Sequence, residues 1–298
     1  MIEKRLVQWY AADAGVDLDV AEREVVLTYV MRVLSDLGLL SHLAFKGGTA
    51  IRKIFLGSLG RFSLDLDFTM ASDASPEEYV LDLVGVLHDQ QHYAIRFTIS
   101  PQDYYANADS CGAIVTYQHD WVTNGKFSIQ VSFRARPILP VKPAEFIRER
   151  YFQWLGIELP SVPTLDLHEI IGEKIRATAQ RSRVRDLYDL YQFTSLQFDR
   201  DSVRRLAIIK CWETNFAFDP ENFLLELSNR QYDWADLSRL IKHGKSLTPA
   251  TIFEGIRRNY RFLTEMNSEE AALAGDAYKR ERRVYQELLE SLKNGTLS

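Results

Sequence analysis

Lys46-Gly47-Gly48-Thr49, followed about sixteen residues later by Asp65 and Asp67, is the part of this chain best equipped for chemistry. A glycine turn that enters a helix offers backbone N–H groups and a positive dipole end to phosphate oxygens. Alternate residues of a strand project to one face, so Asp65 and Asp67 point together while Leu64, Leu66 and Phe68 point into a core. Two neighbouring carboxylates repel unless a cation sits between them, and clustered hard oxygens suit Mg²⁺. Either feature alone is common, one as a helix entry and the other as the wet face of an edge strand. Joined by one short predicted helix, they suit a triphosphate with its metal ions.

A second group lies in Leu165–Arg185, where Lys174, Arg176, Arg181, Arg183 and Arg185 fall within twelve positions. On a wheel of about 100° per residue, Leu167, Ile170, Ile171, Ile175 and Thr178 define an inward arc that includes Lys174. Arg181 falls near it if the helix continues. Desolvating a lysine is costly, so Lys174 needs a phosphate or a carboxylate partner, unless its stem snorkels to an edge. In the next predicted helix Leu187, Leu190, Tyr191 and Thr194 face inward, Asp186 sits at the rim and Asp189 points further out. The position of Asp186 suits orienting Lys174 or an arginine, or accepting a proton from a hydroxyl; a plain structural ion pair fits equally.

The elements that must position these groups follow from periodicity. Glu3–Tyr10 and Val20–Leu37 read as helices, with Val26, Val30, Val33 and Leu37 at helical spacing and Gly38 as the stop. Residues 42–45 form a strand, 49–55 a helix and 64–70 the aspartate strand. Ser75-Pro76-Glu77 opens a helix to about His88. Strands follow near 94–99, 112–118 and 127–134, with Asn124-Gly125 as the hairpin signal. The stretch 137–163 reads as a connector with a short helix at 143–151, and beyond it every pattern is helical. The expectation is an α+β fold, a mixed sheet with flanking helices over residues 1–160 followed by a helical domain over 161–298.

Composition sets the bounds. The 298 residues, 46% hydrophobic, can bury a large core, and a net charge of −5 means that any nucleic-acid contact must come from a local patch. Lys174 to Arg185, with Arg134, Arg136, Arg148 and Arg150, offers such a patch. Cys111 and Cys211 have neither metal-ligand spacing nor a disulfide framework, which fits a reducing cytoplasm. No run approaches the roughly twenty apolar residues that span a bilayer, and no signal peptide is evident, so a cytoplasmic protein without a membrane partner is expected.

Lys46-Gly47-Gly48-Thr49 together with Arg61-Phe62-Ser63-Leu64-Asp65-Leu66-Asp67-Phe68 resembles the AbiEii/MenT nucleotidyltransferase toxins. Glu173-Lys174 and Arg185-Asp186-Leu187-Tyr188-Asp189-Leu190 resemble that family's C-terminal motifs, and Gln8-Trp9-Tyr10-Ala11 its opening. The resemblance spans most of 8–191 and implies a nucleotidyltransferase-like sheet with a helical domain. It implies that Gly47, Gly48 and Thr49 cradle a nucleoside triphosphate with Lys46 adding charge, and that Asp65 and Asp67 hold Mg²⁺. Lys174 and Asp186 match the family's essential pair, and Arg181 is assigned to the nucleotide with them. Ser63 has the parity of the two aspartates if the strand starts early, so its hydroxyl is a candidate to touch a phosphate or to be modified, with capping or turn chemistry at Arg61-Phe62-Ser63 as the alternative. The implied activity is transfer of a nucleoside monophosphate, a pyrimidine, to RNA such as a tRNA 3′ end, which halts translation. The implied setting is a toxin–antitoxin system in phage defence, with an antitoxin partner. One departure stands out. The strand Phe127–Phe133, where many such enzymes carry a third carboxylate, offers Ser128, Gln130 and Ser132. Either Asp186 replaces that acid, or metal ligation is reduced, or nucleotide is bound without efficient transfer. Transfer to a protein hydroxyl is the other alternative.

Overall fold

The computed structural model describes residues 2–244 and 247–295. The chain forms two compact units that interleave in sequence. The first takes in the residues up to Pro137, Val141–Leu165 and Ser238–His243; the second takes Ile138–Pro140, Asp166–Leu237 and the chain from Gly244 on.

The first unit opens with helices α1 (Lys4–Ala14) and α2 (Leu18–Asp36). Val26, Val30 and Val33 of α2 are buried as their spacing predicts, whereas Leu37 lies beyond the helix and is exposed. Strand β1 (Leu43–Lys46) runs into α3 (Gly47–Ala50), which continues as a π-helical turn, Ile51–Leu56. Strand β2 is Leu66–Met70, and α4 (Pro76–Leu87) starts with a capping box between Ser75 and Glu78. Then come β3 (Gln90–His92), β4 (Ile95–Thr98), β5 (Tyr104–Asn107), β6 (Ser110–His119), β7 (Val122–Ser132), β8 (Lys142–Ala144), the short helix α5 (Phe152–Leu155) and β9 (Val162–Thr164). The strands build one mixed sheet in the order β3-β4-β6-β7-β2-β1-β9-β8, with β5 beside β6. β2 runs antiparallel to β1 and parallel to β7, placing Leu66 opposite Ile129 and Asp67 opposite Gln130. Strand alternation then sorts the faces: Leu66, Phe68, Ile129 and Val131 enter the core, and Asp67, Ser128 and Gln130 take the other side.

Three expectations are corrected here. The aspartate strand starts at Leu66 rather than Leu64, so Asp65 is in a bend before it and Ser63 is outside it. The β6–β7 hairpin turns at Asp120-Trp121, and Gly125 is paired with Tyr117 within the ladder. A Cβ on Gly125 would overlap the Tyr117 ring, so glycine is there for a close side-chain approach and not for a turn. The proposed helix at 143–151 is absent; β8 occupies its beginning, and β9 pairs with both β8 and β1. Three-residue strands have too little sequence to show a period.

The second unit is helical among the described residues: α6 (Leu167–Gln180), α7 (Val184–Phe193), α8 (Arg200–Glu213), α9 (Pro220–Glu226), α10 (Trp234–Ser238), α11 (Pro249–Asn259), α12 (Ser268–Ala274) and α13 (Arg282–Gly295). Asp166 caps α6 through the His168 amide. Its inward arc is confirmed by buried Ile170, Ile171, Ile175 and Thr178. On α7, Tyr188 rather than Tyr191 is fully buried. No helix among the described residues is long and apolar enough to cross a membrane.

Candidate functional site

In the first unit the glycine turn packs residue by residue against the segment 61–67. Gly47 has φ of +75°, where side chains are strained, and a Cβ there would overlap the Asp67 carboxylate. A Cβ on Gly48 would sit 2.6 Å from an Arg61 guanidinium nitrogen and 2.7 Å from Ser63 Oγ. Both glycines therefore let the backbone come close to charged and polar side chains. Thr49, buried, donates its hydroxyl to the backbone carbonyl of Asp65. Lys46 is opposite Asp67 in the β1–β2 ladder, so the charges of the two strands alternate at the mouth of the turn. Thus Lys46, Gly47, Gly48, Thr49, Ser63, Asp65 and Asp67 gather at one place.

Asp65 has a partner that spacing did not reveal. Ser128 of β7 donates both its hydroxyl, at 2.7 Å, and its amide, at 3.3 Å, to Asp65 Oδ1. The Phe127–Phe133 strand was legible as the neighbour of the aspartate strand, as was its polar face; which of its polar residues would meet Asp65 was not. The described residues contain no group of three or more His, Cys, Asp or Glu side chains placed to hold a metal ion. Mg²⁺ typically binds one or two carboxylates and completes its shell with water and substrate phosphates. The donor set of Asp65 and Asp67 fits that pattern, since Ser128 fixes one oxygen of Asp65 and turns the carboxylate as a unit.

The long interval between Thr49 and Asp65 is held from behind by buried charge. Arg52 donates to the carbonyls of Gly57 and Gly60 and lies over the Phe62 ring at 3.7 Å. Lys53 donates to Glu24 Oε1 at 2.7 Å, to Thr28 at 2.8 Å and to the Tyr151 hydroxyl at 3.0 Å. Burial pushes the Glu24 carboxyl up, but Lys53 and Arg52 outweigh it and hold the group below its ordinary range. Removing one partner of such a group costs about 3–5 kcal/mol, so the network anchors the helical turn after the glycines to α2.

In the second unit Lys174 reaches Asp186 Oδ1 and Asp189 Oδ2, each at 2.8 Å. Arg181 Nε donates to the other oxygen of Asp186 at 2.8 Å. Helix α6 ends at Gln180, so Arg181 reaches this cluster from an extended residue and not from a continuing helix. Its side chain stays 47% exposed while Lys174 is 12% exposed. Asp189, expected to point outward, is buried. Helix α7 is covered on more than one side, with Tyr188, Asp189 and Gln192 buried as well, so a single-face wheel misplaces it. Burial alone would raise the Asp186 carboxyl; the charges of Lys174 and Arg181 and their hydrogen bonds outweigh it and hold the group well below the carboxylate range. A carboxylate held that low, with both oxygens engaged, orients cations well and accepts protons poorly.

The family that matches the chain, over residues 29–294, is described as the nucleotidyl transferase AbiEii toxin, Type IV TA system. The chain belongs to this family of nucleotidyltransferase toxins, whose chemistry is transfer of a nucleotidyl group. Among solved structures it is similar to MenT4, a nucleotidyltransferase toxin from Mycobacterium tuberculosis H37Rv, with 25% identity and a TM-score of 0.83. That likeness covers 98% of this chain and 100% of the other. None of the curated protein sequences matches. The expected family and the α+β nucleotidyltransferase fold are thereby borne out.

Proposed function

We propose that the chain transfers a nucleoside monophosphate, a pyrimidine, from a nucleoside triphosphate to the 3′ end of an RNA, with tRNA as the acceptor, and so blocks translation. The observation that carries this reading is the glycine turn packed directly on the aspartate segment, with Asp67 over Gly47, and Arg61 and Ser63 over Gly48. Gly47, Gly48 and Thr49 bind the triphosphate through their amides, and Lys46 and Arg61 add positive charge. Asp65 and Asp67 hold Mg²⁺, which when bound neutralises charge on the α-phosphate and the leaving group. The acceptor hydroxyl oxygen forms a bond to the α-phosphorus, the bond to the bridging oxygen breaks, pyrophosphate leaves, and the hydroxyl proton passes to solvent. Lys174 and Arg181, set by Asp186 and Asp189, are the cations of the second unit that this reading assigns to substrate phosphate or to the acceptor. Such chemistry rests on positioning and electrostatics more than on a base. The type IV setting supports a cognate antitoxin partner and a role in phage defence, and both substrates are cytoplasmic.

A second reading, nucleotide binding without turnover, is favoured by the lack of a third acid, since Gln130 stands opposite Asp67. One experiment separates the two. The protein is incubated with total RNA, Mg²⁺ and each α-labelled nucleoside triphosphate, then resolved on a denaturing gel. The proposal expects label at tRNA size, abolished by Asp65→Ala or by chelating the metal, with the thermal midpoint of the variant close to wild type. Label on protein moves the acceptor to a polypeptide; bound nucleotide with no label anywhere establishes the binding-only reading.

A further inference from the structure

Most of the basic residues that sequence nominated are paired with carboxylates. Arg134, Arg136 and Arg150 pair with Asp109, Asp73 and Asp13 in the first unit. In the second, Lys174 and Arg181 share Asp186, and Arg185 pairs with Asp236 at 2.7 Å. Cationic charge in excess of carboxylates is found elsewhere in the second unit, at the end of α11, just beyond it and at the start of α8. Two adjoining depressions, of about 370 and 730 Å³, share Thr194 and Asn259 in their walls. Arg200 lines the smaller, and Arg257, Arg258 and Arg261 line the larger, against one carboxylate, Glu254.

These arginines differ in kind. Arg257 is fixed by neutral acceptors: it donates to the Leu224 carbonyl at 3.0 Å, to the Leu225 carbonyl at 3.2 Å and to Ser228 Oγ at 2.6 Å. Its charge is thus held in place at the end of α9 and is not cancelled. Arg258 and Arg261 are exposed and have no carboxylate partner among the described residues. Arg200 lies 5.8 Å above the Phe262 ring, and Asp201 beside it is taken by Arg204 at 2.8 Å. Tyr191 and Phe198, both half-buried, line the larger and the smaller depression respectively. The combination is open, guanidinium-rich and lined by aromatic residues. Single-stranded nucleic acid is bound by a cationic track for phosphates with rings on which bases stack. An acidic peptide would use the charges but not the rings, and a lone phosphate would need a closed pocket.

Resting on the reading that the acceptor is RNA, we propose that this arginine-walled groove docks the single-stranded part of the acceptor, with Arg200, Arg257, Arg258 and Arg261 on phosphates and Tyr191 and Phe198 against bases. The test measures fluorescence anisotropy of a labelled single-stranded RNA with the full chain, without nucleoside triphosphate, over a range of salt. Arg258→Glu with Arg261→Glu should weaken RNA binding tenfold or more near 0.1 M salt and lower the log–log salt slope by about 1.4, from roughly 0.7 per phosphate contact. Arg258→Gln with Arg261→Gln should give a smaller loss in the same direction. Arg96→Glu with Lys126→Glu, on exposed strand positions and with the same change in net charge, should leave binding within about twofold, and binding of labelled nucleoside triphosphate should be unchanged in all variants.

Equal losses in the groove and control variants would mean general electrostatics and overturn the groove. So would a groove variant that binds like wild type, or polyaspartate that competes as well as RNA at equal charge. If wild type binds no RNA and labels only protein, the RNA acceptor and this groove both fall; if wild type labels tRNA while the groove variants bind it normally, only the groove falls.

Discussion

At the scale of single residues, the carboxylates of the candidate site retain few degrees of freedom. Asp67 occupies the space that a side chain at position 47 would need, and Asp65 is turned by Ser128. On the proposed reading Ser128 is a positioning residue: it orients Asp65 without needing to touch substrate. Hydrogen bonds to charged groups contribute about 1.5–3 kcal/mol, which corresponds to roughly ten- to a hundredfold in rate if the bond matters in the transition state. Ser128→Ala keeps the amide at 3.3 Å and should therefore sit at the lower end, about tenfold slower. It should also raise the Mg²⁺ concentration needed for half-maximal binding of the metal–nucleotide complex, read by calorimetry without acceptor, and Ser128→Thr should restore both. Unchanged metal dependence in a folded Ser128→Ala protein would make the hydroxyl incidental. Sequence gave Ser128 as one of three polar residues on a strand; choosing among them required the β2–β7 register.

At the scale of elements, local signals worked where a period was long enough to read and failed where a residue type had two uses. The cap at Ser75, the valines of α2 and the inward arc of α6 all follow from spacing. Asn124-Gly125 reads as a turn because glycine favours turns, yet here it serves Tyr117 in the middle of a ladder. The Tyr117 hydroxyl donates to Glu22 Oε2 at 2.7 Å and the ring is buried among core residues, so it cannot swing aside. Gly125→Ala should therefore behave as an overpacked core substitution, costing about 1–3 kcal/mol despite adding one methyl group. A thermal midpoint lower by several degrees, with the secondary-structure signal retained, is the expected result. A midpoint equal to wild type would mean that the Tyr117 ring gives way and that its approach does not require glycine. The same logic explains Asp189: a wheel assumes one buried face, and α7 has more than one.

At the scale of the whole molecule, the chain crosses between its two units several times, and the crossing at 138–140 is tied by chemistry that sequence does not display. The fully buried Glu169 accepts from the amides of Ile138, at 2.9 Å, and Leu139, at 3.0 Å, and pairs with Lys210 at 2.6 Å. Three residues remote in sequence from Asp166–Leu237 thereby belong to that unit, and no sequence boundary placed near 160 could anticipate it. Glu169→Ala leaves Lys210 buried without its nearest counter-charge and two amides without an acceptor, so it should cost about 3–5 kcal/mol in urea denaturation. Glu169→Gln retains an acceptor and should cost less. The pair also carries a pH signature. Burial would lower the Lys210 pKa, but Glu169, Glu173 and Glu213 outweigh it, and the net direction is upward. A lysine whose folded pKa lies above its unfolded value gives stability that is complete below about pH 10 and lost as pH rises through the folded pKa. Wild type should accordingly lose stability on the alkaline side above about pH 10, and that loss should shrink in Glu169→Ala because most of the stabilisation is already gone. An alkaline limb that is the same in both proteins would show that the raised pKa of Lys210 does not depend on Glu169.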